Sequence, residues 1–125
     1  MYRVLIVDDE PEIARSLRRV LKGTYEVNVV ASAEEALASL DELRPDIVIS
    51  DFRMPEMNGA ELLSDVRQRL PDSIRLLLSG YSELDAKLLA EHANSISKFV
   101  KKPWRNDELL ASLAELLEER ERTGA

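Results

Sequence analysis

Five residues of this 125-residue chain have the types and placement to share one chemistry: the consecutive Asp8 and Asp9, then Asp51, Ser79 and one lysine of the pair Lys101 and Lys102. Short apolar runs precede them: VLIV before Asp8 and Asp9, IVI with Ser50 before Asp51, LLL before Ser79 and FV before Lys101 and Lys102. Carboxylates gathered in one place raise each other's pKa unless a cation offsets them. Asp8, Asp9 and Asp51 carry -3 and a lysine +1, so the set is left at -2, the charge that one divalent ion neutralises. Oxygen-only donors with room for water suit Mg2+ better than zinc or a soft metal. A carboxylate in such company is also a nucleophile that accepts a phosphoryl group as an acyl phosphate. The metal would then offset phosphate charge, the lysine would pair with it, and Ser79 would donate a hydrogen bond to it.

Each residue also has an ordinary reading. Asp8 and Asp9 precede Pro11 and would suit the positive end of a helix. Asp51 alone would serve as a loop cap, Ser79 alone as turn chemistry, and Lys101 with Lys102 as a solvated edge. The match of all four strand ends is what favours a shared site over four separate accidents.

Those residues need a scaffold that brings distant run ends together. Val4 to Val7 is too continuous for a strand with one wet face and reads as a buried parallel strand. Pro11 opens a helix with Ile13, Leu17, Val20 and Leu21 at helical spacing, and Gly23 offers a stop. Tyr25 to Val30 is a second strand. Ser32 with Glu35 is a capping-box signal for a helix to about Leu43. Ile47 to Ser50 is a third strand, followed by a loop with Pro55, Asn58 and Gly59 and a helix over about Ala60 to Leu70. Ile74 to Leu78 is a fourth strand. Ser82 and Asp85 signal a cap for a helix carrying Leu84, Leu88, Leu89 and Ala93, with Asn94 suited to a left-handed terminus. Ile96 to Lys101 is a weaker fifth strand. Leu109, Leu110, Leu113, Leu116 and Leu117 mark a last amphipathic helix that frays into Glu118 to Arg122. Five βα units imply a doubly wound parallel sheet, since a closed barrel needs about eight units. In a flavodoxin-like order 2-1-3-4-5, strands 1, 3, 4 and 5 are adjacent, and ligands lie beyond their carboxyl ends.

Composition narrows the function. The chain is one domain in size. Zero cysteines exclude a disulfide framework, a zinc ribbon and thiol catalysis, and 24 acidic against 17 basic residues give a net charge of -7 that disfavours direct nucleic-acid binding. The first apolar run stops at Asp8, too short for a signal peptide or a membrane span, so a soluble, cytoplasmic protein is expected. His92, the one histidine, reads as a surface residue far from the strand ends and a poor phosphoryl donor. Trp104 reads as packing, and the Leu109 to Leu117 stripe as core, with a weak homodimer face as the lesser alternative.

With VLIVDDE at Val4 to Glu10, SDFRMPEMNG at Ser50 to Gly59, LLLSGY at Leu76 to Tyr81 and FVKKPW at Phe99 to Trp104, the chain resembles a two-component response-regulator receiver domain over about Tyr2 to Leu117. The resemblance implies a receiver domain over residues 1–120, with 121–125 a tail or the start of a linker, and the strand order is inherited from it. It also implies that Asp51 is the phospho-acceptor and that Asp9 binds Mg2+ directly. Asp8 would act through water, and the Arg53 carbonyl would complete the protein ligands. Ser79 falls on the switch hydroxyl, Lys102 on the phosphate-pairing lysine, commonly before a cis proline bond, and Phe99 on the rotating aromatic. Phe99 stands where the family often has tyrosine, which removes a hydroxyl but leaves the expectation of a buried ring. Asn94, Ser95 and Ile96 replace the usual Gly-Ala pair before strand 5. LLLSGY and KFVKKPW are also similar to receivers fused to HD-type phosphodiesterases or other output domains.

The implied function is a phosphorylation switch. Asp51 would take a phosphoryl group from a sensor histidine kinase or phosphotransfer protein. The face made by the fourth helix, strand 5 and the last helix, from about Glu83 to Leu117, would change for a fused or separate output domain. Beyond self-phosphotransfer and autodephosphorylation, no enzyme activity is expected. The alternative is a receiver-like scaffold that binds partners without phosphorylation, which the intact acidic residues, serine and lysine disfavour. A flavin carrier would want a Ser/Thr-rich loop after strand 1, and a haloacid-dehalogenase-like phosphatase would want aspartates two apart there. No GxxxxGK[ST] loop is present.

Overall fold

In the computed structural model, residues 1–80, 87 and 90–123 are described. The strands are β1 (Arg3–Val7), β2 (Glu26–Val30), β3 (Ile47–Asp51), β4 (Ile74–Ser79) and β5 (Lys98–Lys101). All pair in parallel in the order β2-β1-β3-β4-β5, as a doubly wound sheet requires. Three helices, α1 (Pro11–Leu21), α2 (Ala33–Leu43) and α3 (Gly59–Arg69), join the earlier strands, and a C-terminal helix spans Asn106–Thr123.

Period-two alternation divides the apolar runs between two cores. Val4, Ile6, Ile47, Ile49, Leu76 and Leu78 face α1 and the C-terminal helix, meeting Leu17, Leu21, Leu109 and Leu113. Leu5, Val7, Val48 and Leu77 face α2 and α3, meeting Ala36, Leu40, Leu62, Leu63 and Val66. Burial of each large apolar side chain contributes roughly 1.5–3 kcal/mol before chain entropy is counted. Continuous apolar runs therefore belong to strands covered on both faces.

Local signals account for most boundaries. Ser32 Oγ accepts from the Glu35 amide at 3.1 Å, while the Glu35 carboxylate reaches back to the Ala31 amide at 3.2 Å, one residue beyond the expected box. At α3 the box is complete: Asn58 Oδ1 accepts from Glu61 N, and Glu61 Oε1 from Asn58 N. That Asn-x-x-Glu signal was present in the sequence and shifts the helix start back to Gly59.

Several expectations are corrected. Asn94 has no left-handed backbone; it lies in a 3-10 turn, Ala93–Ser95, closed by the Ser95 amide on the His92 carbonyl. The left-handed helix terminus is instead Arg44, whose amide caps on the Leu40 carbonyl. The C-terminal helix continues through Glu118 to Thr123 without fraying there, because Arg120 bonds Asp46 at 3.2 Å and covers the Tyr2 ring. Beta strand 5 starts at Lys98, two residues late, since the Ser97 amide bonds the Arg75 carbonyl just before it. Arg75 is itself buried, its guanidinium donating to the Ser95 and Ser73 carbonyls at 2.6 and 2.7 Å. Lys87, Ala90 and Glu91 are helical, and the cap and apolar positions expected at Ser82, Leu84, Asp85, Leu88 and Leu89 lie outside the described residues.

Candidate functional site

Parallel pairing places the strand ends at one edge of the sheet. The registers Val7 with Ser50, Asp51 with Leu78, and Ser79 with Lys101 bring Asp8, Asp51, Ser79 and Lys102 to adjacent ends. Main-chain bonds hold the connecting loops: Phe52 N to Leu78 O at 2.9 Å, Gly59 N to Phe52 O at 2.8 Å and Lys102 N to Ser79 O at 3.0 Å. Gly59 is required by close approach, because a Cβ there would strike the Asp51 carbonyl, Leu77 Cδ1 at 2.7 Å and Ser50 Oγ at 2.9 Å. The Met57 amide bonds the Pro55 carbonyl around Glu56, whose φ of 70° is unusual for a residue with a side chain.

Asp51 and Asp8 are buried, at 3% and 2% exposure. Lys102 reaches over from the end of β5, placing Nζ 2.5 Å from Asp51 Oδ1. Burial works to lower the Lys102 ammonium, but its hydrogen bond to Asp51 and the charges of Asp51, Asp8 and Glu10 outweigh that and hold it above its ordinary value. Asp8 Oδ1 accepts from the Glu10 amide at 2.9 Å, whereas Oδ2 is buried without a hydrogen-bond partner among the described residues. Burial pushes the Asp8 carboxyl up to about 6, against that amide bond and with the charge of Asp51 adding to the rise. A cavity of about 400 Å³ is lined by Asp51, Ser79, Lys102, Glu10, Phe52 and Arg53.

The donor set fits a hard divalent cation. Carboxylate oxygens of Asp8, Asp9, Glu10 and Asp51 lie within 4.8 Å of one another, and the orphaned Asp8 Oδ2 is the kind of buried acceptor a cation or its water would satisfy. Arg53 lines this cavity and, with Asp9, a neighbouring hollow. Glu10 was not among the site residues expected from sequence, where it stands only as the last residue of the VLIVDDE motif.

Outside the cluster, Phe99 is 45% exposed, not buried as expected. It sits on the edge strand with Lys98 and Lys101 also exposed, while Val100 on the opposite face packs into the core. His92 is not a free surface residue: it is half-buried, with Nδ1 2.8 Å from Ser64 Oγ on α3. Trp104 packs against the core and donates to Asn106 Oδ1 at 3.0 Å. The Lys102–Pro103 peptide is cis. No described helix is long and apolar enough to cross a membrane.

Comparison with known proteins gives a match over residues 4–114 to the family described as the response regulator receiver domain. The chain is 35% identical over 115 residues to the hydrogenase transcriptional regulatory protein HoxA of Cupriavidus necator, covering 92% of this chain but 24% of HoxA. A CheY-like response regulator receiver domain protein from Methanospirillum hungatei superimposes with a TM-score of 0.89 at 29% identity, over 98% of each chain. The signal receiver domain of an HD domain-containing protein from Pseudomonas fluorescens has a TM-score of 0.87 at 31% identity, over 97% of this chain and 90% of that one.

Proposed function

The chain belongs to the response-regulator receiver-domain family, and from that membership we propose that it is a phospho-accepting switch whose nucleophile is Asp51. The observation that carries this reading is the Asp51–Lys102 pair in a cavity shared with Ser79, beside the buried Asp8.

In the proposed step an Asp51 carboxylate oxygen attacks the phosphorus of a phosphohistidine on a sensor kinase or phosphotransfer protein. An O–P bond forms, the P–N bond breaks, and its electron pair returns to the imidazole. Lys102 leaves its salt bridge to pair with the phosphoryl oxygens, and the Ser79 hydroxyl donates to one of them. A magnesium ion bound by Asp9, the Asp51 carboxylate and the Arg53 carbonyl, with Asp8 acting through water, would offset negative charge where the phosphoryl group arrives. Hydrolysis of the acyl phosphate returns free carboxylate and phosphate, so turnover times the signal and makes no product of interest.

Drawing Ser79 toward Asp51 would shift the loop after β4 and open room for the exposed Phe99 ring to turn inward. The face carried by β5 and the C-terminal helix then changes for a fused or separate output domain, and the setting is cytoplasmic. Exposure to acetyl phosphate and magnesium, read by intact mass, tests the reading: one added phosphoryl group is expected in the parent and none in Asp51→Asn. Equal labelling of that variant would remove Asp51 from the role.

A further inference from the structure

The pocket carries more negative charge than the strand-end aspartates account for. Glu10 is exposed at its mouth, its carboxylate within 4.8 Å of those of Asp8, Asp9 and Asp51, and it lines the cavity with Asp51, Ser79 and Lys102. Its main chain is held by the bond from its amide to Asp8 Oδ1. It occupies the N-cap of α1 but makes no side-chain capping bond, so the helix does not consume its carboxylate. Counting Glu10, four carboxylates against Lys102 and the Arg53 that lines the same cavity leave -2, one unit more negative than the pocket would be without Glu10.

A charge so placed acts in two opposed directions. It attracts a cation entering the cluster, where the buried Asp8 Oδ2 has no hydrogen-bond partner among the described residues. It repels an anion entering the same cavity toward Asp51. We propose that Glu10 is a further working residue of this site, strengthening divalent-cation binding while holding back anionic phosphoryl donors in proportion to their charge. Glu10 touches no reacting atom in this scheme; it sets the field through which donor and cation approach. The donor half of the inference rests on the phospho-acceptor reading of Asp51, and the cation half does not.

The test compares the parent chain with Glu10→Gln, which keeps shape and removes charge, and Glu10→Asp, which keeps charge. Mg2+ titration by calorimetry should show binding roughly 3- to 10-fold weaker in Glu10→Gln, the size expected for one partly solvated charge at this range. At saturating Mg2+, labelling by acetyl phosphate, a dianion at neutral pH, should be roughly 3- to 10-fold faster in Glu10→Gln. Labelling by phosphoramidate, a monoanion, should gain less, and added salt should narrow the gap between parent and variant. Glu10→Asp should follow the parent in each measurement. Unchanged magnesium affinity overturns the cation half. Equal acceleration with both donors, or none, overturns the charge gate while leaving Asp51 as acceptor. A parent chain that neither donor labels overturns the phospho-acceptor reading and the gate with it, and the magnesium titration alone then decides the cation half.

Discussion

Lys102, just past the end of β5, spans the end of β4 to place its ammonium 2.5 Å from Asp51 Oδ1 at the end of β3. The lysine holds the charge of a buried carboxylate that lies beside a second buried carboxylate, Asp8. Removing one partner of such a pair costs more than the pair itself contributes, because the other charge stays behind.

Lys102→Met should therefore lower stability by about 2 kcal/mol without magnesium, below the range for fully buried pairs because water reaches the lysine. Magnesium should recover much of the loss, since it supplies the missing positive charge. Urea denaturation with and without the ion measures both, and identical midpoints for parent and variant would show that the pair does not stabilise the site.

Asp8 predicts a pH dependence with a defined sign. Its folded pKa of about 6 lies above the value of about 4 for an unfolded aspartate, so between these values the folded state binds more protons. The advantage is whole below pH about 4 and is lost as pH rises through about 6. Asp8→Asn should thus match the parent near pH 4 and exceed it by about 2–3 kcal/mol at pH 7 in metal-free buffer. Magnesium should shrink that difference. A parent-to-variant gap that stays flat from pH 4 to 7 contradicts the burial penalty.

Gly59 and Gly23 should respond oppositely to alanine. At Gly59 a methyl group meets the Asp51 carbonyl and two side chains, whereas at Gly23 it meets nothing within 4 Å among the described residues. Gly59→Ala should cost about 1–3 kcal/mol and slow acetyl phosphate labelling by shifting Asp51. Gly23→Ala should be neutral or stabilise by up to about 1 kcal/mol. Thermal melts of the two variants rank them, and a tolerated Gly59→Ala would mean that α3 yields without cost.

Phe99 should respond to the phosphoryl mimic beryllofluoride. Its exposed ring is expected to turn inward, and amide exchange should change along β5 and the C-terminal helix while α2 stays largely untouched. Ser79→Ala should still be phosphorylated yet lose the change at Phe99. Protection confined to the loops around Asp51, or a Ser79→Ala protein that responds like its parent, would refute this coupling.

The amino-acid sequence by itself determined the strands and the polar side chains that close them. Runs such as Val4–Val7 and Ile47–Ile49 state their two-faced burial locally, and each ends on the residue that parallel pairing must carry to a common edge. The cap at Ser32 was equally legible, and the one at Asn58, read only as a loop residue, rests on the same kind of contact between residues three apart. The tertiary structure alone decided how those residues meet. It orphans Asp8 Oδ2, adds Glu10 to the cluster, leaves Phe99 outward, joins His92 to Ser64, and pins Arg120 against Asp46 and Tyr2. The difference is physical: apolar periodicity records one element's environment, while charge pairing, desolvation and ring exposure depend on side chains that are distant in the chain and adjacent only after the sheet has formed.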